Sequence, residues 1–366
     1  MQLLNDGSKA IKEYNQAQIL NPKSPRAKLR LGQLWVRANN YSSAIDYYNE
    51  AIEIDSNYAP AYREKGYLLF KTRQPGKAKE SYARFLSLSA GSRSARIQYI
   101  NTLFDLQDYN EAIIQINIIM SQDSSNNDFN RALAYSYYET GHYDKGLHYI
   151  NKFFEQVQPE KIRALDYVYY GKLLSKNNMD SVSAEVFMKA FEMDTTQTDL
   201  LNQAASSYIK LKEYGKAAEL MIKKTMIKKD VVNDYYTLGK IYYSLQDWRK
   251  SDSVFSITIS LNPGYIKGYL WKAYSLVNMD PDAKEGMAKP AFELLIENVK
   301  NDTIKYAAEL KQAYSYLSYY YLIQFNKTKK LNDGLISKQY CEKVLTIDPN
   351  DENANAILND LKIRLK

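Results

Sequence analysis

Small and apolar residues recur along the chain at a fixed interval of 34 positions. Gly32 and Gly66 are 34 apart, and Gly171 and Gly239 are 68 apart, twice that interval. Unit starts near residues 25, 59, 93, 127, 164, 198, 232 and 266 give eight copies, with three extra residues near 158–163. In this frame the eighth position reads Gly32, Gly66, Ile100, Ala134, Gly171, Ala205, Gly239 and Ala273. The twentieth reads Ala44, Ala78, Ala112, Gly146, Ser183, Ala217, Ser251 and Ala288, all small. The twenty-fourth is large and apolar throughout: Tyr48, Tyr82, Ile116, Ile150, Phe187, Met221, Phe255 and Phe292. Position 11 is bulky as well, from Trp35 and Leu69 to Tyr242 and Leu276. A period of this length decides the architecture before any single element is assigned.

Each unit predicts two helices. Apolar residues at positions 4, 7, 8 and 11, and again at 20, 24 and 27, have helical spacing. Short polar stretches separate them, such as Asn39-Asn40, Gln107-Asp108, Gly141-His142, Lys212-Glu213 and Gln246-Asp247, each followed by an aromatic residue. Asn21-Pro22, Asn262-Pro263 and Asp348-Pro349 are helix-stop signals. The small residues at 8 and 20 are expected to face each other across the hairpin, bringing the backbones to the short end of the roughly 8–10 Å range. Bulky residues at 11 and 24 then fill the gap to the next unit. One hairpin cannot bury both of its faces, so stability has to come from stacking.

At these residues the chain resembles the tetratricopeptide repeat family, over nearly its whole length. The resemblance implies an all-α fold, a right-handed α-solenoid superhelix of stacked helix-turn-helix hairpins whose first helices line a concave groove. Pro75 and Asp180 replace the usual aromatic at position 17, Ile100 breaks the small position 8, and Lys224 stands where alanine is usual at 27, so the third and sixth repeats depart furthest. The segment Gly268-Tyr-Leu-Trp271-Lys-Ala, followed by Lys284-Glu-Gly-Met-Ala-Lys-Pro290, resembles a variant repeat of exported bacterial tetratricopeptide proteins. It implies a periplasmic or envelope location, with the cytoplasm as the alternative.

Three segments follow from the frame. Residues 1–24 read as the second helix of a truncated repeat, because Ala10, Tyr14, Ala17 and Pro22 fall at positions 20, 24, 27 and 32. The helix Ser8–Leu20 would expose an apolar face, as in a fragment of a longer array, unless Met1–Gly7 folds back over it. Residues 25–351 form an array of about nine repeats. The ninth is enlarged by an insertion: one long helix over Thr303–Phe325, a polar loop Asn326–Gly334, then Ser337, Cys341 and Val344 at positions 20, 24 and 27. Residues 352–366 form a capping helix with one polar side.

Composition narrows the chemistry. Of 366 residues, 45% are hydrophobic and 25% charged, enough for a large core. No run of about 18 apolar residues exists to cross a membrane. Cys341 is the single cysteine, which excludes an intramolecular disulfide and a cysteine-based zinc site. His142 and His148 are six apart, the wrong spacing for one helical face, and read as solvated. No glycine-rich phosphate loop occurs, and Asn326-Lys-Thr328 is a chance match to the glycosylation tripeptide. No catalytic residue, cofactor or metal is expected.

The informative residues lie in the groove that the resemblance implies, at positions 2, 5, 9, 12 and 13 of each first helix. Ten cations fall there, Arg26, Arg37, Arg63, Lys71, Arg131, Lys172, Lys176, Lys210, Lys240 and Lys267, against four acids, Asp105, Asp128, Glu139 and Asp199. That surplus nearly accounts for the net charge of +7. The same positions carry Tyr67, Tyr135, Tyr138, Tyr236, Tyr243 and Tyr274, with Phe70 and Phe104. Tyrosine and arginine combine buried area with a hydrogen-bonding tip and often anchor interfaces. The competing reading is that some of these tyrosines only pack between repeats. The family's carboxylate clamp for chaperone tails is absent, since its positions counted from Arg63 hold Tyr67, Gln98, Asp128 and Ala132. The expectation is therefore a non-catalytic scaffold that binds an acidic or mixed protein segment in a basic, tyrosine-lined groove. Two alternatives stand beside it: non-specific single-stranded RNA binding, and self-assembly through the exposed N-terminal hairpin. Against base reading, position 5 runs Leu29, Arg63, Ile97, Arg131, Val168, Asn202, Tyr236, Leu270, which is no code.

Overall fold

The computed structural model describes residues 2–89, 93–123 and 126–365, with side chains from Lys9 onward. Twenty α-helices and no strand occur among the described residues. They fall into two compact units, one up to Ile162 and one from Arg163. The first unit opens with α1 (Gln2–Leu20), followed by four pairs: α2 (Arg26–Arg37) with α3 (Tyr41–Ile54), α4 (Ala59–Lys71) with α5 (Pro75–Leu88), α6 (Arg93–Asp105) with α7 (Tyr109–Gln122), and α8 (Asp128–Glu139) with α9 (Tyr143–Gln156). A one-turn 3-10 helix, Pro159–Lys161, takes up the extra residues.

The second unit repeats the scheme. It pairs α10 (Ala164–Lys176) with α11 (Asp180–Met193), α12 (Asp199–Lys210) with α13 (Tyr214–Ile227), α14 (Val232–Ser244) with α15 (Trp248–Leu261), and α16 (Ile266–Met279) with α17 (Lys289–Val299). It then continues through α18 (Ala307–Thr328), α19 (Leu331–Ile347) and α20 (Glu352–Arg364). Within each unit, every helix packs against its neighbours in sequence.

The two most regular sequence positions form the core. Side chains at position 24 are between 0 and 2% exposed, from Tyr48 to Phe292, and the residues at position 20 are buried throughout. Their partner at position 8 shows why glycine recurs. A Cβ on Gly32, Gly171 or Gly239 would lie 2.5, 2.7 or 2.8 Å from the ring of Tyr48, Phe187 or Phe255, and one on Gly66 would lie 3.2 Å from Tyr82. Each glycine therefore seats an aromatic ring from its own second helix. Where position 8 is Ile100, Ala134 or Ala205, position 24 holds the ringless Ile116, Ile150 or Met221; the eighth unit is the exception, with Ala273 and Phe292. Positions 8 and 20 meet as expected where serine occupies 20: Ser183 and Ser251 donate to the carbonyls of Gly171 and Gly239 at 2.8 and 3.1 Å.

A shared turn joins the helices of a pair. Position 15 is left-handed in seven consecutive units: Asn39, Arg73, Gln107, Gly141, Asn178, Lys212 and Gln246 have φ between 57° and 79°. The next N–H reaches back to the carbonyl at position 11, as Asn40 does to Trp35 at 3.0 Å, closing the helix in a Schellman motif. Asn40, Asp108 and Asp247 then cap the following helix by accepting from the N–H groups of Ser43, Glu111 and Lys250. The polar dipeptides of the sequence are thus a C-terminal stop and an N-terminal start placed side by side.

Some details differ from the expectation. The polar loop Asn326–Gly334 is not a loop. Asn326–Thr328 finish α18, Lys329 turns at φ 59°, and Leu331 already begins α19. Thr328 Oγ1 accepts from the Lys330 N–H and donates to Asp333, which stabilises this tight turn. The long helix is shifted with it, starting at Ala307 instead of Thr303. At the other end, residues 2–7 continue α1 as helix instead of folding back. Ala10, Tyr14 and Ala17 stay partly or largely exposed, while their counterparts Ala44, Tyr48 and Ala51 are 0–1% exposed.

The irregular Lys224 has its own solution. It is 2% exposed, and its ammonium lies 2.9 Å from the buried Asp234 of α14 and 2.9 Å from Asp199 of α12. One buried ammonium thus joins three helices, through a buried pair with Asp234 and a second pair with the exposed Asp199. Asp180, at the position expected to be aromatic, is also buried and accepts from Ser175 and Lys210.

Three outcomes follow. Gly171→Ala overpacks against Phe187 and costs about 1–3 kcal/mol in chemical denaturation; adding Phe187→Ile, which gives the combination present at Ala134 and Ile150, recovers most of it. Lys224→Met strands Asp234 and costs about 3–5 kcal/mol, and the double change with Asp234→Leu restores stability. Asp351 caps α20 and pairs with Lys311 at 2.9 Å; the Ala354 N–H, then Lys311, hold its carboxyl below the usual range. Its stabilisation is present above the unfolded pKa of about 4 and disappears as pH falls through the lower folded value. Amide-exchange protection of α20 therefore declines below about pH 4, and Asp351→Asn flattens that dependence.

Candidate functional site

In the second unit, α14 and α16 present neighbouring first-helix faces, and the aromatic residues on them converge. Tyr236, Lys240 and Tyr243 lie on one side of α14, at spacings of four and three. Trp271, Tyr274 and Asn278 do the same on α16. Trp271 is the centre of the cluster. Tyr243 meets it edge-on at 5.0 Å between centroids and Tyr274 at 5.8 Å, while Phe255 stacks beneath at 6.2 Å. Tyr236 is fixed against Tyr265 and Phe255 at 5.3 and 5.9 Å. Asn278 ties the helices together by donating to the Tyr243 hydroxyl at 3.0 Å and to the Tyr274 carbonyl at 2.8 Å.

Lys240 completes this surface. Its ammonium lies 5.3 Å from the Trp271 ring centre and 5.8 Å from that of Tyr236, a double cation–π contact. The residue is exposed and has no carboxylate partner among the described residues. Burial, with Tyr265 adding to it, raises the phenol pKa of Tyr236; burial, then Tyr243 and Glu309, does so for Tyr274. Both phenols stay protonated near neutral pH and keep their hydrogen-bond donors. The arrangement offers an anion one ammonium and offers an apolar group a rigid aromatic wall.

Four of the sequence-derived residues, Tyr236, Lys240, Tyr243 and Tyr274, are therefore brought together. Trp271 was missed because it stands at position 6, outside the positions counted as inward-facing. As one of three tryptophans, placed four residues before Ser275 in a unit rich in aromatics, it was available as a signal.

The first unit treats its candidates differently. Tyr67 is 41% exposed on α4, and Lys71 lies over Tyr41 at 5.2 Å. Arg63 is turned onto the adjacent Glu64 at 2.6 Å. Arg26 and Arg37 are exposed on α2, and Arg26 borders a shallow cleft with Tyr14 and Arg30. Arg131 is held in place: it stacks 4.4 Å over Phe153, pairs with Asp128 at 3.0 Å and donates to the Lys161 carbonyl. Tyr135 is only 8% exposed, and Tyr138 packs on Tyr143 at 5.7 Å. That last contact recurs between positions 12 and 17, as in Phe104 with Tyr109 at 5.6 Å and Tyr243 with Trp248 at 4.8 Å. Aromatics at position 12 thus anchor the start of the second helix. In the second unit, Lys172 lies 5.3 Å over Tyr169, and Lys210 is paired with Asp180 at 2.8 Å.

Both histidines lie at the surface. His142 lies beside Thr140 and Tyr137, and His148 is edge-on to Tyr149. Cys341 is fully buried, and burial pushes its thiol up to about 11. No group of three or more metal-ligating side chains occurs among the described residues.

Comparison with known proteins agrees with the helical-repeat fold. Residues 4–59 match the tetratricopeptide repeat. The C-terminal part of a tetratricopeptide repeat-containing protein from Cytophaga hutchinsonii is 31% identical, with a TM-score of 0.61, over 71% of this chain and 98% of that one. The chain belongs to the tetratricopeptide repeat family. A structure of Naa15/Naa10 bound to HypK-THB shares the fold over 98% of this chain and 64% of that one, with a TM-score of 0.51 at 12% identity. The human protein O-mannosyl-transferase TMTC1 is 23% identical over 235 residues, 62% of this chain. The chain spans about a quarter of that relative's length, 26%. As a tetratricopeptide repeat protein the chain is an all-helical interaction scaffold, and no helix of its described residues is long and apolar enough to cross a membrane.

Proposed function

We propose that the chain is a non-catalytic scaffold which holds an extended protein segment, acidic or of mixed charge, on the inward faces of its first helices. The observation that carries this reading is the Lys240 cluster. An ammonium resting on Trp271 and Tyr236, without a carboxylate of its own, is placed beside half-buried Tyr243 and Tyr274. A carboxylate of the ligand would pair with Lys240 while its neighbouring apolar side chain covers the rings. Several other cations of the expected groove are already neutralised, as in Arg63 with Glu64, Arg131 with Asp128 and Lys210 with Asp180. This supports a protein segment with few charges over a nucleic-acid backbone, which rewards many unpaired cations. A periplasmic or envelope location is part of the same reading, supported by the variant segment Gly268–Pro290 and by likeness to a bacterial protein.

The test uses tryptophan emission. In a Trp35→Phe background, acidic dodecapeptides selected from a random library should shift the emission of Trp248 and Trp271 on binding. Lys240→Glu should weaken that binding at least tenfold with helicity and Tm unchanged. Binding that survives Lys240→Glu places the site elsewhere. Tighter binding of oligo-dT or oligo-U than of any peptide, with a steep salt dependence, replaces the reading by nucleic-acid binding.

A further inference from the structure

A second cation–tyrosine arrangement lies at the far end of the second unit. Tyr314 and Tyr321 stand seven residues apart on α18, and Tyr340 of α19 is inserted between them. Its ring is 5.9 Å from Tyr314, tilted by 32°, and 6.0 Å from Tyr321, nearly parallel at 16°. A lysine closes each end of this short stack. Lys343 lies 5.1 Å over Tyr340 and 5.3 Å over Tyr314, and Lys289 of α17 lies 6.0 Å over Tyr321.

Packing between α18 and α19 accounts for the rings. It does not account for Lys343, which is exposed and has no carboxylate partner among the described residues. Other cations nearby are supplied with acids: Lys311 with Asp348 and Asp351, Lys338 with Glu342, Arg364 with Asp360. Lys289 too is paired, with Glu293 at 3.1 Å. The Lys343 ammonium is distinguished by being held against two ring faces and bordered by half-buried phenols.

We propose that Lys343, Tyr314, Tyr340 and Tyr321 form a second docking surface, separate from the Lys240 cluster, that takes a single carboxylate on an extended protein segment. Charge complementarity selects the occupant. One unneutralised ammonium, with Lys289 at the other end of the stack already paired to Glu293, matches an isolated carboxylate and gives a chain of phosphates little to bind. The tyrosine faces are turned toward one another, so bases find no open platform to stack on, whereas ring edges and hydroxyls remain for a peptide. The cation is preorganised by its ring contacts and loses little freedom on binding.

The experiment pans a random dodecapeptide library on the whole chain and ranks the selected peptides by fluorescence anisotropy against three variants. Lys343→Glu reverses the charge, Lys343→Met keeps the aliphatic stem against the rings, and Tyr340→Phe removes one hydroxyl and keeps the packing. The expected result is a class of peptides, each with an acidic residue, that Lys343→Glu and Lys343→Met weaken at least tenfold, Tyr340→Phe weakens a few-fold, and Lys240→Glu leaves within twofold. Circular dichroism and Tm of the Lys343 variants should match the parent, because the residue is exposed. Several results overturn the proposal: no selected peptide depends on Lys343, every Lys343-dependent peptide also depends on Lys240, or oligo-dT binds at Lys343 more tightly than the peptides. Loss of Lys240-dependent peptides alone would overturn the first site and leave this one standing.

Discussion

The distance between the two helices of a pair is set by a ring lying on bare backbone. At Gly32, Gly66, Gly171 and Gly239 the missing side chain leaves room for Tyr48, Tyr82, Phe187 and Phe255, each at most 2% exposed. Because that ring fills the crevice between first and second helix, the small residue at position 20 can come close enough for Ser183 or Ser251 to bond the opposing carbonyl. Those serines also reach the next pair, Ser251 meeting Ser275 at 2.7 Å. Close approach within one hairpin therefore fixes the seat for the following one. Stacking of such hairpins leaves first-helix residues such as Lys240 with one side toward solvent.

The left-handed residue at position 15 is the second constraint. Only Gly141 is suited to it by its own conformational freedom; Arg73, Gln107 and Lys212 adopt it at a cost of roughly 1 kcal/mol each. The Schellman hydrogen bonds and the adjoining cap offset that cost locally, so the turn needs no particular residue, only a polar one that tolerates exposure. This is why the dipeptides between helices look alike in polarity and differ in identity.

The helix pairs could be read from the sequence because burial at positions 20 and 24 is nearly complete, and complete burial restricts residue choice most strongly. The matching of glycine with an aromatic ring was present in the same alignment, but it shows only when positions 8 and 24 are read together instead of column by column. The turn at Lys329 was hidden because Asn326–Gly334 is polar for two reasons at once, as an exposed last turn of α18 and an exposed first turn of α19. For the candidate site, position counting found Tyr236, Lys240, Tyr243 and Tyr274 and missed Trp271. It also counted Arg131 and Tyr135, whose contacts with Phe153 and burial in the core depend on side-chain direction, which spacing alone does not specify.

Lys224 makes one boundary in the array unlike its neighbours. Its charge is met inside the seam by Asp234 of the next hairpin and at the seam's edge by Asp199 of its own. A hairpin of this kind cannot be exchanged freely with others: recombination that moved α12 and α13 without α14 would leave Lys224 with Asp199 alone and leave Asp234 buried without its lysine. Gene duplication within this stretch is thus restricted to blocks that carry both residues, and the order of modules here is chemically addressed instead of interchangeable.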